Sequence, residues 1–122
     1  MAAKRRLSAK RRKRLYYLVH RIYRLLSESE WRIVFERIHD NREVCLEQDV
    51  HLTSIGFCDY ENEILCVDYR YDILGTIVHE CLHAIFQDKK ERDIKKLEKF
   101  IMKNITPLQA KRILLLAAKV ID

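Results

Sequence analysis

Two histidines and the glutamate between them are the residues of this chain whose types and spacing could do chemistry. His79 and His83 stand four residues apart in the segment His79-Glu80-Cys81-Leu82-His83. In an α-helix that spacing places the imidazoles about 40° apart around the axis, so both can reach one zinc ion. Glu80 lies about 100° from His79, which makes it a poor third ligand. It is well placed to accept a proton from zinc-bound water, as in H-E-x-x-H hydrolases.

A tetrahedral zinc site needs a third protein ligand, and no histidine follows His83. The downstream candidates are four carboxylates: Asp88, Glu91, Asp93 and Glu98. On a straight helix Glu91 would lie about 12 Å beyond His83, whereas a carboxylate bonds zinc at about 2 Å. The chain must therefore reverse in the polar segment 87–90. Glu91 and Glu98 are seven residues apart and share a helix face, so either can face the metal.

The same residues also have a purely structural interpretation. His and Glu are common on the exposed face of an amphipathic helix, and acids on a Lys-rich helix are usually solvated. Apolar neighbours at Ile77, Val78, Cys81 and Leu82 indicate a helix packed against a core, with Cys81 pointing inward. That context favours the metal-binding interpretation over a chance match.

The elements that position this segment follow from periodicity and turn residues. Apolar residues at three- and four-residue steps predict a helix from Leu15 to about 27–29. The runs 55–58 and 64–67 flank the polar turn 59–63 and predict a β-hairpin. Further helices are predicted over 73–87, over 91–103 and from 107 onward, with Asp72 and Thr106 as N-caps.

Three patterns are less decisive. Trp31, Ile33 and Phe35 alternate with their neighbours, so residues 28–38 fit either a strand or a helix. An alternating region with β character is formed by Val44, Leu46, Val50 and Leu52. The buried stripe of the last helix is predicted as Leu108, Ile113, Leu116 and Val120.

The predicted fold is α+β and zincin-like. A small antiparallel sheet and the N-terminal helix pack against the helix that carries His79 and His83, with two C-terminal helices behind it. A length of 122 residues fits one domain. We divide the chain into a basic arm over 1–14 and a single metallopeptidase-like domain over 15–122. No apolar run approaches the roughly 20 residues of a membrane span.

Charge is concentrated at the N-terminus. The formal net charge is +6, and ten basic residues but no acidic residue fall within 1–24. The rest of the chain carries more acidic than basic residues. The basic segment is interpreted as a solvated tail, as a handle for anionic lipid, or as a non-specific contact with nucleic acid through residues 4–24.

The cysteine pattern bears on location. None of the four cysteines, Cys45, Cys58, Cys66 and Cys81, belongs to a C-x-x-C pair. The first apolar stretch is broken by His20, Arg21 and Arg24, unlike a signal peptide. We therefore expect reduced, mostly buried thiols and a cytoplasmic protein.

The segment 64–100 resembles short bacterial and phage-borne zinc metallopeptidases of the gluzincin kind, and more broadly SprT-like and ImmA/IrrE-like domains. The matching pieces are the strand 64–68, the H-E-x-x-H segment 76–84 and an acid at the head of the next helix. In that family pattern the acid about eight residues after the second histidine is the third ligand. The resemblance therefore implies that His79, His83 and Glu91 hold the metal. The sequence departs from the pattern at Arg92-Asp93.

Weaker candidates surround this segment. Tyr69 or Tyr71 can donate a hydrogen bond to a tetrahedral oxyanion, although half-buried packing is the commoner role. His51 can reach the cleft but is usually structural in such a position. Strand 64–68 can act as a sheet edge that pairs with an extended peptide.

Together these patterns predict a zinc metallopeptidase that binds one Zn²⁺ through His79, His83 and Glu91. Glu80 would be the general base acting on a peptide or protein substrate. One alternative is a nucleic-acid-associated protein of a phage or mobile element that uses the basic arm. The other is a non-catalytic, zinc-stabilised interaction module.

Overall fold

A computed structural model describes residues 7–40, 45–46 and 54–122 of the chain. Its named elements comprise four helices and three strands. In chain order they are α1 (Ala9–Glu28), β1 (Arg32–Glu36), β2 (Gly56–Asp59), β3 (Ile64–Asp68), α2 (Ile73–Ile85), α3 (Glu91–Asn104) and α4 (Pro107–Ala118). The α+β class is confirmed. The alternating residues Val44, Val50 and Leu52, and His51, lie outside the described residues.

Helix α1 begins earlier than its apolar periodicity predicts. Ser8 caps it by accepting a hydrogen bond from the Arg11 amide, so residues 9–14 of the basic arm are helical. Its buried face points into the core and comprises Leu15, Leu18, Val19, Ile22, Tyr23 and Leu26. The described part of the arm is thus continuous with the domain.

The three strands form one mixed sheet in the order β1-β3-β2. Strand β2 pairs antiparallel with β3, which confirms the predicted hairpin. The ambiguous segment 28–38 contains the strand β1, Arg32–Glu36, after the last residue of α1. However, β1 pairs parallel to β3, so the prediction of an antiparallel sheet is wrong. A parallel pair cannot be joined by a tight turn, and the chain between β1 and β3 accordingly includes the whole of β2.

Strand β3 is central, so the prediction that it forms a sheet edge is also wrong. The outer edge of β1 bonds the C-terminus: Ile33 donates to Val120, and Asp122 donates to Ile33. Among the described residues, no strand pairs with the outer edge of β2. The available edge is therefore β2.

Helix α2 is the central element of the core. Asp72 caps it through a 3.0 Å hydrogen bond from the Gly75 amide, as predicted. It packs against α1, α3, α4, β2 and β3. Cys81 and Leu82 are fully buried, which confirms the inward orientation of Cys81. Burial of this much apolar surface stabilises the helix in its place.

The C-terminal helices complete the core with one departure from prediction. Thr106 and Gln109 form a capping box at the start of α4, and Ile113 is fully buried. Leu108 is 79% exposed, so its predicted place in the buried stripe is wrong. It stands in the first turn of the helix. Leu116 and Val120 are half-buried.

The cysteine side chains are mostly buried, as the sequence analysis expects. Cys45, Cys66 and Cys81 are buried and Cys58 is half-buried; Cys58, Cys66 and Cys81 carry free thiols.

Within the described ranges, no helix combines the length and apolarity that a bilayer span requires.

Asp68, the last residue of β3, accepts hydrogen bonds from Arg70 in the segment before α2 and from the backbone after β1. Its fully buried carboxylate accepts hydrogen bonds from the Arg70 guanidinium at 2.9 and 3.0 Å and from the His39 amide at 3.0 Å. The Arg70 hydrogen bonds hold the pKa of Asp68 well below its usual range, although burial opposes them. Arg70 also contacts Asp40, so one guanidinium joins the end of β3 to the segment that follows β1.

We predict that Asp68→Asn lowers the free energy of unfolding by about 2 kcal/mol, because a buried charge-assisted hydrogen-bond network loses its acceptor. The carboxylate stabilises the fold above its ordinary pKa of about 4, and that contribution is lost as the pH falls below it. The wild-type advantage over the variant should therefore shrink towards pH 3 in urea-unfolding curves.

The matched control is Asp122→Asn, which weakens an exposed ion pair with Arg32 and should change stability by less than about 0.5 kcal/mol. Equal effects of the two substitutions would contradict the structural role assigned to Asp68.

Candidate metal centre

The chain reverses between α2 and α3. Helix α2 ends at Ile85, where the Phe86 amide donates to the Leu82 carbonyl at 2.8 Å. A turn follows, closed by a 3.0 Å bond from the Lys89 amide to the Phe86 carbonyl, and α3 starts at Glu91. Helix α3 then packs back against α2. This is the reversal that a downstream third ligand requires.

His79, His83 and Glu91 converge. The Nε2 atom of His79 lies 2.7 Å from Oε1 of Glu91, and Nε2 of His83 lies 2.6 Å from Oε2. One ligand atom from each of the three residues lies within 4.8 Å of the others. Both imidazoles are 15% exposed, while the Glu91 side chain is 53% exposed. The cluster is therefore anchored on α2 and open to solvent on one side.

Glu98 lies behind His79. Its Oε1 is 2.5 Å from Nδ1 of His79, on the far side of the ring from Glu91. A carboxylate in that position accepts the Nδ1 proton and leaves Nε2 as the lone-pair donor. The arrangement distinguishes the two acids that share a face of α3: Glu91 lies in the ligand cluster and Glu98 orients a ligand.

The donor set fits a divalent metal ion. Two imidazole nitrogens and a carboxylate are the ligands of His₂Glu zinc sites. In such sites a ligating histidine usually donates its other N–H to a carboxylate, and Glu98 occupies that position at Nδ1 of His79. The structure brings together all three predicted ligands.

Glu80 is buried beside this cluster, with 5% of its surface exposed. Strand β2 crosses its helix at Gly56, where a Cβ atom would lie 2.6 Å from Thr76 Cγ2 and 2.9 Å from Glu80 Oε2. That separation is shorter than van der Waals contact, so only glycine allows the strand and the helix to approach this closely. The approach shields Glu80 from solvent.

Burial shifts the acid–base properties of these groups. Desolvation raises the pKa of Glu80 to about 8, assisted by the charges of Glu91 and Glu98 and opposed by His79. For His83, burial lowers the pKa and outweighs the attraction of Glu91. For His79, burial also lowers the pKa, but its hydrogen bond to Glu98 and nearby acids together raise it.

Tyr60 is a site residue that sequence reasoning missed. It stands in the turn between β2 and β3, and its hydroxyl lies 3.4 Å from Nδ1 of His83. The ring packs edge-on against Trp31, with centroids 6.4 Å apart. Burial raises the pKa of Tyr60 to about 12, so the hydroxyl keeps its proton at neutral pH. Its place in a polar turn gave no signal that it would face the histidines.

The tyrosines singled out from the sequence have other contacts. Tyr69 packs on Phe35 and accepts a hydrogen bond from Arg37, while Tyr71 packs against His39. Neither residue lines the cavities beside His79, His83 and Glu91. They are 41% and 40% exposed, as expected of partly buried packing residues.

An open cleft runs past the cluster along β2. Two adjoining cavities of about 470 and 290 Å³ share Ser54, Gly56, His79, Glu80 and Glu91 in their walls. The larger extends towards Lys95 and Glu98, and the smaller towards Tyr60 and His83. The cleft thus runs beside β2 and leaves His79, His83 and Glu91 accessible from solvent.

No protein-family model matches this chain, and neither does any curated protein or solved structure.

We predict that Glu91→Gln weakens Zn²⁺ binding more than Glu98→Gln does. The first substitution removes a ligand charge from the cluster, whereas the second removes only an orienting contact, which typically costs 10- to 100-fold. Titration against a chromophoric chelator measures both affinities. A larger loss in Glu98→Gln would reverse the two assigned roles, and Asp93→Asn on the same helix serves as the control.

Proposed function

We propose that this protein is a zinc-dependent peptidase that hydrolyses peptide bonds in extended segments of a peptide or protein substrate. The observation that carries the proposal is the position of Glu80, buried beside the convergent donors of His79, His83 and Glu91 in the wall of an open cleft. A site that only stabilises a fold is normally closed and has no need of a shielded acid at its opening.

In this proposal His79, His83 and Glu91 hold Zn²⁺. A Zn²⁺ ion held by these residues would supply Lewis-acid polarisation of the carbonyl and a water that is deprotonated more easily. Glu80 accepts the proton of the attacking water and delivers it to the leaving amine. Burial raises the pKa of Glu80, and a cation bound beside it would favour the carboxylate, which is the form that accepts a proton.

Tyr60 is proposed to donate a hydrogen bond to the oxygen that becomes negatively charged as the carbonyl is attacked. It lines the smaller cavity together with Glu80 and His83, and its hydroxyl remains protonated. A preorganised donor aimed at developing charge is among the larger contributions to catalysis.

The substrate is proposed to lie along β2. An extended peptide added to a sheet edge gains main-chain hydrogen bonds irrespective of its sequence. The outer edge of β2 borders the cleft, because Gly56 lines both cavities. Binding of this kind favours unfolded or flexible segments over folded protein surfaces.

We predict that Glu80→Gln retains Zn²⁺ but loses 100- to 10,000-fold or so in kcat, the usual contribution of a general base. Zinc content by atomic absorption and cleavage of unfolded casein are the two measurements. Glu61→Gln, in the exposed turn, is the control and should leave both unchanged. Unchanged activity in Glu80→Gln would remove Glu80 as the base.

We predict separately that Tyr60→Phe lowers kcat about 100-fold when measured at saturating Zn²⁺, since the hydroxyl contributes to charge stabilisation. Tyr69→Phe and Tyr71→Phe are matched controls that should retain activity. Equal rates in all three variants would contradict the proposed role. A wild-type protein that binds zinc and cleaves no unfolded substrate would instead favour the zinc-stabilised interaction module.

A further inference from the structure

A second site lies on a different face of the molecule, in the groove between α1 and α4. We name it the α1–α4 groove; its walls include Tyr16, His20, Tyr23, Leu108, Arg112 and Leu115. Its volume of about 480 Å³ is within the range of small-ligand sites. Its wall residues are wholly distinct from those of the metal cleft.

Three aromatic rings from α1 follow one another along this groove. The ring of Tyr16 stacks on His20 with centroids 3.9 Å apart and planes 30° apart. His20 in turn meets Tyr23 edge-on at 5.1 Å. Because Tyr16 is 61% exposed, the face turned away from His20 is open to a further flat ring. A stack with one vacant face is the geometry that accepts a planar aromatic ligand.

Cations surround this aromatic row. The Arg112 guanidinium lies 4.9 Å from the centre of the Tyr23 ring, and Lys111 lines the same groove. Arg12 stands one turn before Tyr16, so it shares the flank of α1 that borders the groove. No carboxylate is among the groove-lining residues of the described chain. The site therefore pairs flat rings with positive charge.

The positive charge continues along α1. From Ala9 to Arg24 the helix carries only basic charges, and its first acid is Glu28. Arg11 and Arg14 lie over the ring of Phe100 on the opposite flank, at 5.4 and 5.0 Å. The guanidinium groups are thereby held in place on a folded helix, which lowers the entropy lost when they bind phosphate.

We propose that the α1–α4 groove, with Arg12 on its flank, binds single-stranded nucleic acid. Tyr16 stacks on an unpaired base, while Arg12, Lys111 and Arg112 contact the flanking phosphates. Aromatic platforms bordered by cations bind single strands with little sequence preference. This proposal is independent of the peptidase, since the two sites share no residue.

A lipid surface is the less favoured partner. Membrane-binding helices lie in the interface with an exposed apolar face, and the apolar face of α1 is buried in the core. The exposed leucines Leu108 and Leu115 border a concave groove instead of forming a continuous apolar face. A groove of this shape accommodates a planar ring better than a bilayer.

The test is fluorescence anisotropy of the full, metal-free chain with a labelled oligothymidylate of about 15 nucleotides, within the site sizes of single-strand binders. Binding should weaken as salt rises, with a slope of about −0.7 per phosphate contacted. Tyr16→Ala should weaken binding at least about fivefold through lost stacking. Its neighbour Tyr17, which is 51% exposed but does not line the groove, is the matched control, and Tyr17→Ala should stay within about twofold.

Charge is tested in the same way. The triple variant Arg12→Gln, Lys111→Gln, Arg112→Gln should lose affinity and flatten the salt slope by about two units. The control triple Arg37→Gln, Arg92→Gln, Lys119→Gln removes equal charge from exposed positions elsewhere and should retain most of the affinity. Thermal unfolding by circular dichroism confirms that each variant is folded, and Tyr16→Leu replaces Tyr16→Ala if the latter is not.

Three outcomes would overturn the proposal. One is equal loss in Tyr16→Ala and Tyr17→Ala, which would leave charge alone to explain binding. Another is equal affinity for a duplex of the same length, since a duplex offers no unpaired base. The third is binding to phosphatidylserine vesicles without binding to the oligonucleotide, which would assign the surface to lipid.

Discussion

The carboxylate of Glu91 lies between the Nε2 atoms of two histidines from the preceding helix, and much of the structure is arranged to bring it there. Residues eight apart on one straight helix would be separated by about 12 Å. Because α2 ends at Ile85 and α3 starts at Glu91 after a turn, Oε2 of Glu91 instead lies 2.6 Å from Nε2 of His83. The packing of α3 on α2, through residues such as Ile94, Leu97 and Ile101, holds the acid in position. Packing of these apolar residues in the core therefore positions Glu91 beside the histidines, which its spacing in the sequence alone does not do.

This arrangement concentrates negative charge. Glu80, Glu91 and Glu98 lie close enough that the last two raise the pKa of the first. Carboxylates gathered in a partly dry site repel one another unless a cation lies among them. A cation bound there would relieve the repulsion and so stabilise the fold. Because the pKa of Glu80 is raised in the fold, its ionisation at rising pH adds to the repulsion and lowers the stability of the metal-free protein.

Local sequence signals predicted much of this fold. The Asp72 and Thr106 caps, the hairpin turn and the spacing of His79, Glu80 and His83 are encoded over a few residues, and each is confirmed as structure. The parallel pairing of β1 with β3 is not local, since it depends on a crossover whose path no short pattern records. Glu91 and Glu98 share a helix face, so only the angle between α2 and α3 decides which acid meets which histidine nitrogen. Tyr60 reaches His83 from a turn 23 residues away, a contact that exists only after the sheet packs on the helix.

The same packing accounts for the shape of the cleft. A side chain at position 56 would collide with Thr76 and Glu80, so any other residue would force β2 away from α2. Moving the strand outward would expose Glu80 to water and return its pKa towards the ordinary range, because desolvation is the largest cause of its shift. It would also carry the unpaired sheet edge away from the histidines. Gly56 therefore links two properties on which the proposed peptidase depends: a shielded acid and a strand edge beside His79, His83 and Glu91. A chain with the H-E-x-x-H spacing but a bulky residue at this position would have the ligands without the cleft.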